Sequence, residues 1–154
     1  MTASTDSAST STSDRSSVSP AEVVRTFLEA CADGDFDTAL DLVDDEIVYQ
    51  NVSLPTIHGK RRLAAGARKF EQRGLRFDVK IHRICETGSS VLTERTDAIM
   101  LGSYRSQFWV CGAFEVNDGK ITLWRDYFDW AAILAASVRG LVGTVVPSLR
   151  ARLD

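Results

Sequence analysis

Apolar residues recur at two different periods along this chain, and the change from one to the other divides it. Val23, Val24, Phe27, Leu28 and Cys31 share one face of a helix. Ser19-Pro20-Ala21-Glu22 opens that helix, with serine as N-cap, proline at the first helical position and glutamate three residues after the cap. Asp33-Gly34-Asp35 breaks it and starts a second, whose apolar stripe is Phe36, Ala39, Leu40 and Val43. Residues 47–52 read as a short strand ended by Pro55, and residues 59–72 as a third helix interrupted by Gly66. From Leu75 onward the period becomes two. Phe77, Val79 and Ile81 alternate with Asp78, Lys80 and His82. Turn residues at Gly88-Ser89, Gly102-Ser103 and Asn117-Asp118-Gly119 then separate strands over residues 90–101, 107–116 and 120–128. Helices first and hairpin-linked strands after them predict the α+β class, with a strongly curved mixed β-sheet and N-terminal helices closing a cone-shaped pocket.

The ends of the chain break the pattern. Residues 1–18 are almost all Ser, Thr, Ala and Asp, too polar to offset the entropy of ordering, and are expected to form a disordered tail ahead of a single domain over residues 19–154. They contain neither the basic nor the apolar region of a secretion signal. Residues 130–146 are nearly long and apolar enough to cross a bilayer. Arg139 near their middle would cost roughly 2.5–3.5 kcal/mol there, so they read as a buried helix followed by a partly ordered apolar tail, not an integral membrane segment.

Charge and cysteine usage exclude several function classes. The net charge of −3 leaves no global basic surface for nucleic acid. Lys60, Arg61, Arg62, Arg68, Lys69, Arg73 and Arg76 follow helical spacing and read as a solvated helix face. Cys31, Cys85 and Cys111 are odd in number, widely spaced and without a C-x-x-C, which suits free thiols in a cytoplasmic protein better than disulfides. They make no zinc site with His58 and His82, so no metal or other cofactor is expected.

Chemistry is concentrated on three strands. Residues two apart in a strand share a face. Arg95 and Asp97 therefore lie with Val91, Ile99 and Leu101; Tyr49 and Asn51 with Ile47; and Asp126 with Trp124 and Phe128. A charge on an apolar face is costly unless paired. Arg95 can pair with Asp97 on its own strand, and with Asp126 if the strands converge, leaving Tyr49 and Asn51 as neutral hydrogen-bonders. Alternation alone does not show that convergence. A structural Arg95–Asp97 salt bridge explains the same spacing equally simply.

The segments V-Y-Q-N (residues 48–51), L-T-E-R-T-D (92–97), F-W-V-C-G-A-F-E-V (108–116) and I-T-L-W-R-D-Y-F-D (121–129) resemble the limonene-1,2-epoxide hydrolase family, most closely its actinobacterial branch. The resemblance extends from about Pro20 to Leu149. It implies a cystatin-like roll of the nuclear-transport-factor-2 type and a homodimer. It also implies cofactor-independent hydrolysis of a lipophilic epoxide to a vicinal diol, with water as co-substrate. Tyr49, Asn51, Arg95, Asp97 and Asp126 match the family's catalytic positions. The resemblance makes Asp126 the general base toward a water also held by Tyr49 and Asn51, Asp97 the general acid and Arg95 the bridge between them.

Apolar companions of these faces should wall the pocket: Phe27, Leu40, Phe70, Leu75, Phe77, Ile99, Trp109, Phe128, Ile133 and Leu141. Trp124 is expected as wall or core, and neither His58 nor His82 is given a role. Leftover aromatic positions on the opposite face of the sheet suit a homodimer. No G-x-S-x-G elbow is present, which disfavours the commoner covalent hydrolase design. The alternatives on the same fold are an isomerase or cyclase and a lipophilic-ligand carrier.

Overall fold

A computed structural model describes residues 18–146 and 148. The expected tail lies outside these residues, Val18 excepted, as does most of the chain beyond Val146. Helix α1 (Pro20–Asp33) starts as its capping sequence dictates, with the Ser19 side chain accepting from the Glu22 N–H and Pro20 in the first turn. Gly34 ends it at a φ of 76°, where its own N–H closes on the last carbonyls. Asp35 caps the short helix α2 (Phe36–Asp41).

Val43, placed on the helical stripe by its spacing, is instead the first residue of strand β1 (Val43–Asn51). The cause is tertiary. Lys120 Nζ takes the Asp41 carbonyl and the Ile121 N–H takes that of Leu42, so the last strand draws the chain out of the helix early.

The remaining elements are β2 (Ile57–His58), α3 (Lys60–Gln72), β3 (Arg76–Thr87), β4 (Ser90–Leu101), β5 (Tyr104–Asn117), β6 (Lys120–Phe128) and α4 (Trp130–Val145). The six strands form one sheet in the order β2-β1-β6-β5-β4-β3. Only the β1–β6 pair is parallel. Register irregularities in β1, β3 and β6 increase the local bend and curl the sheet about the helices. Val23, Val24, Phe27 and Leu28 of α1 fill one part of the concave face, against Val91, Phe114, Val116 and Ile121.

Helix α4 departs from the expected buried helix. Its buried residues are the small ones, Ala136, Gly140 and Gly143, while Leu134, Val138, Leu141 and Val145 are exposed. A Cβ on Gly140 would lie 2.5 Å from the Arg105 carbonyl oxygen and 2.9 Å from the Tyr104 ring. Close approach to β5 thus selects the face without side chains, and the large apolar residues point away. No helix among the described residues is long and apolar enough to cross a membrane.

Candidate active site

Strand register brings the three polar faces together. The parallel β1–β6 pairing sets Asn51 beside Asp126 and Tyr49 beside Trp124. Gly112 of β5 lies beside Asp126, and Thr93 of β4 beside Gly112. Asn51, Asp126, Gly112 and Thr93 therefore form one row across the sheet. Arg95 and Asp97 follow Thr93 on the same face of β4, all three buried.

Arg95 starts in the next row and must cross β5 to reach Asp126. Its Nε donates to Asp97 Oδ1 at 2.9 Å and, more weakly, to Oδ2 at 3.2 Å. Its Nη2 donates to Asp126 Oδ2 at 2.6 Å, and its Nη1 to Thr93 Oγ1 at 3.2 Å. Gly112 provides the crossing. A Cβ there would clash with Arg95 Nη1 and lie 2.7 Å from Thr93 Oγ1 and 2.9 Å from the Phe114 ring. Neither Gly112 nor Thr93 is among the residues picked out from the sequence. A glycine in mid-strand marks a close approach, and Thr93 shares the Arg95 face by simple alternation, so both signals were available.

The second carboxylate oxygen of Asp126, Oδ1, is buried and has no hydrogen-bond partner among the described residues. The same is true of Trp124 Nε1. The Tyr49 hydroxyl donates to Asn51 Oδ1 at 3.0 Å, which leaves the Asn51 amide N–H groups free to serve the cavity. The Tyr49 ring lies 4.3 Å from that of Trp124, centroid to centroid.

Asp97, Asp126, Tyr49 and Asn51 line a cavity of about 310 Å³ whose other walls are apolar. Of the expected wall residues, Phe27, Leu40, Phe70, Phe77, Ile99 and Phe128 line it, and so does Trp124. Four do not. Trp109 alternates onto the convex face, 57% exposed and stacked on His82, because its neighbour Val110 is the residue paired with Arg95. Leu141 points outward from α4 at 62% exposure. Ile133 is half-buried in the same helix, outside the lining. Leu75 sits in the turn before β3, where its N–H bonds the Phe70 carbonyl. The inner face of α3, through Leu63, Gly66 and Ala67, and Cys31 of α1 complete walls that the strand pattern could not supply.

Burial dominates the electrostatics. It pushes the Asp97 carboxyl up to about 6, against the opposing pull of Arg95 and with help from the charge on Asp126. Burial also raises Asp126; Arg95 opposes it, and the Trp124 indole N–H pulls the same way as Arg95 without reaching hydrogen-bonding geometry. For Arg95 itself, burial works against the charge, but the two carboxylates more than offset it and hold the guanidinium above its ordinary range. Tyr49 is raised by burial first and by Asp126 second. Burial likewise pushes the Cys31 thiol up to about 12. Among the described residues, no three His, Cys, Asp or Glu side chains are arranged to hold a metal ion.

Two outcomes follow for stability. Gly112→Ala should cost about 1–3 kcal/mol by overpacking, read from the denaturant midpoint, and an unchanged midpoint would contradict the notch for Arg95. Asp97 binds its proton more tightly in the folded protein than in the unfolded chain. Its contribution is therefore full below pH 4 and is lost as pH rises through about 6. Asp97→Asn should flatten this decline and recover on the order of 2–3 kcal/mol at neutral pH relative to the parent, at 1.36 kcal/mol per pKa unit. Parallel stability–pH curves for the two proteins would refute it.

Comparison with known proteins converges on one family. The model of the limonene-1,2-epoxide hydrolase catalytic domain matches residues 18–139. Epoxide hydrolase EphG of Mycobacterium tuberculosis is 53% identical over 130 residues, covering 84% of this chain and 87% of EphG. The solved structure of an M. tuberculosis LEH-like epoxide hydrolase superposes with a TM-score of 0.83 at 51% identity, over 87% of this chain and 95% of that one. A putative polyketide cyclase from Xanthomonas campestris shares the fold alone, with a TM-score of 0.64 at 17% identity over 77% of this chain and 96% of that one. With a family model spanning most of the chain and a relative identical at more than half of the aligned positions, this protein belongs to the limonene-1,2-epoxide hydrolase family.

Proposed function

We propose that this epoxide hydrolase opens a lipophilic epoxide to a vicinal diol in one step, with Asp126 as general base, Asp97 as general acid and Arg95 between them. The observation that carries the reading is one buried guanidinium shared by two buried carboxylates at an apolar cavity. One positive charge cannot balance two negative ones where water is scarce, so the triad retains a proton. Asp126 holds the shorter bond to Arg95, 2.6 Å, and is the better stabilised anion; Asp97 keeps the proton.

The reaction then balances. Asp126 Oδ1 and the Tyr49 hydroxyl oxygen accept the two protons of a water, while the Asn51 amide donates to its lone pair. As the water oxygen attacks an epoxide carbon, Asp126 takes its proton. The carbon–oxygen bond breaks and Asp97 delivers its own proton to the departing oxygen. A proton returned from Asp126 to Asp97 resets the pair. Each transfer contributes about 10²–10⁴-fold. Ring strain in the epoxide supplies the driving force.

The isomerase or cyclase alternative needs a neutral carboxyl as oxyanion donor. Asp97 offers one, so the readings part elsewhere: the putative polyketide cyclase shares the fold alone, at 17% identity, whereas the family match is to epoxide hydrolases.

Single turnover of limonene oxide or a sterol epoxide in H₂¹⁸O should place the label in the first diol formed, before and after EDTA. Asp97→Asn and Asp126→Asn should each lose about 10²–10⁴-fold in kcat. In the parent, kcat/KM should fall as pH rises through about 6, where Asp97 gives up its proton. Label arriving first from the protein would replace direct water attack with a covalent route. Full activity in Asp126→Asn would remove the base from this role.

We also propose a homodimer formed through the convex face of the sheet. Leu92, Trp109 and Tyr127 are 61%, 57% and 46% exposed there, an apolar patch of the kind that marks an interface. Light scattering at micromolar concentration should give twice the chain mass, and Trp109→Arg should halve it. A monomeric parent protein would end the proposal.

A further inference from the structure

Helix α3 has two faces of opposite character. Leu63, Gly66, Ala67 and Phe70 line the substrate cavity. On a 3.6-residue period Arg61, Arg68 and Lys69 lie on the side turned away from it, with Arg62 and Arg73 flanking. Between Lys60 and Arg76 the chain carries seven cations and one acid, Glu71, a net +6. The whole protein stands at −3, so the rest of it stands at −9. All seven cations except the half-buried Lys60 are exposed, and none forms an ion pair with a described residue.

This placement works against the helix. Its first turn holds Lys60, Arg61 and Arg62, no acid, and Gly59 as an N-cap without a side-chain hydrogen bond. Cations at a helix N-terminus oppose the macrodipole, and a sequence shaped for stability alone would place acids there. Helix α3 also buries no residue fully. Beside its N-terminal end runs a groove of about 800 Å³ lined by His58, Lys60, Arg61, Arg62 and Arg68 together with Asp45 and Glu46, roomy enough for a phosphate headgroup.

We infer that the outer face of α3 docks the protein on an anionic lipid bilayer, with the substrate cavity directly behind the docked helix. Charge complementarity selects an anionic partner. The apolar cavity on the other side of the same helix selects a lipid surface over an acidic protein, because lipophilic substrates dissolve in bilayers. Docking relieves the unfavourable charge at the α3 N-terminus and concentrates the enzyme where its substrate partitions. The face lies on the opposite side of the sheet from Trp109 and Tyr127, so a dimer through the convex face leaves it open. Only the delivery of substrate rests on the hydrolase reading. The docking itself is measured without epoxide, so its failure leaves the chemistry untouched.

The test is co-sedimentation of the full chain with vesicles of phosphatidylglycerol and phosphatidylcholine in equal parts, against pure phosphatidylcholine. Binding should occur on the anionic vesicles at low ionic strength, be absent on neutral ones and weaken steeply with salt. Arg61→Gln, Arg68→Gln and Lys69→Gln combined should weaken it about a hundredfold, each cation near an anionic surface contributing roughly fivefold. The thermal midpoint should hold or rise slightly, because one unfavourable charge leaves the α3 N-terminus, and the turnover of a water-soluble epoxide should stay at the parent value. No binding to anionic vesicles at low salt overturns the inference, as does undiminished binding by a folded triple variant. Equal affinity for soluble polyglutamate would overturn the lipid assignment and make the face a site for acidic proteins.

Discussion

Everything about this site depends on a guanidinium that has been taken out of water. Arg95 is fully buried, and such a charge is tolerable only with near-ideal partners on every side. Asp97, Asp126 and Thr93 supply them from two strands. The arrangement is overcharged by one carboxylate, and that excess is what keeps a proton in the pair. A neutral ion pair of the same shape would be more stable and chemically idle. The cost of burial is therefore inseparable from the capacity to give and take a proton near pH 6.

The sheet is built to permit that contact. Antiparallel strands alone would follow one another as a meander, but the parallel β1–β6 pairing returns the start of the chain to the last strand and sets Asn51 beside Asp126. Gly112 leaves out a side chain that would stand between Arg95 and its second partner. Residues far apart in sequence thus meet through register, and the register in turn is held by the core around Phe114 and Ile121.

This explains which features were legible from the sequence. Period two on β3 to β6, the capping signal at Ser19 and the break at Asp33-Gly34-Asp35 are local, and the elements appear near where they predict, β5 opening three residues before the expected strand. Arg95 and Asp97 were legible as candidates because charges on an apolar face are costly, whereas Tyr49, Asn51 and Asp126 gained weight only from the family resemblance. The convergence of the five was not legible, since alternation says nothing about neighbours across a sheet. Val43, Trp109 and Leu141 show the other limit. Val43 is decided by β6, Trp109 by the parity of its own strand against Arg95, and Leu141 by a glycine face that fits where leucine does not. In each case a single-element pattern was outweighed by the element packed against it.

Cys31 shows how a reactive pocket protects itself. Its thiol is part of the cavity wall, where strained electrophiles are brought and held. An ordinary exposed cysteine there would invite alkylation by the very molecules the site receives. Burial pushes this thiol up to about 12, so at neutral pH the nucleophilic thiolate is scarce. The same dry surroundings that keep a proton on the carboxylate pair also keep one on sulfur. Protection against self-inactivation thus needs no dedicated residue: it comes with the dryness of the cavity, and a mutation that let water reach Cys31 would shorten the working life of the enzyme as well as disturb its chemistry.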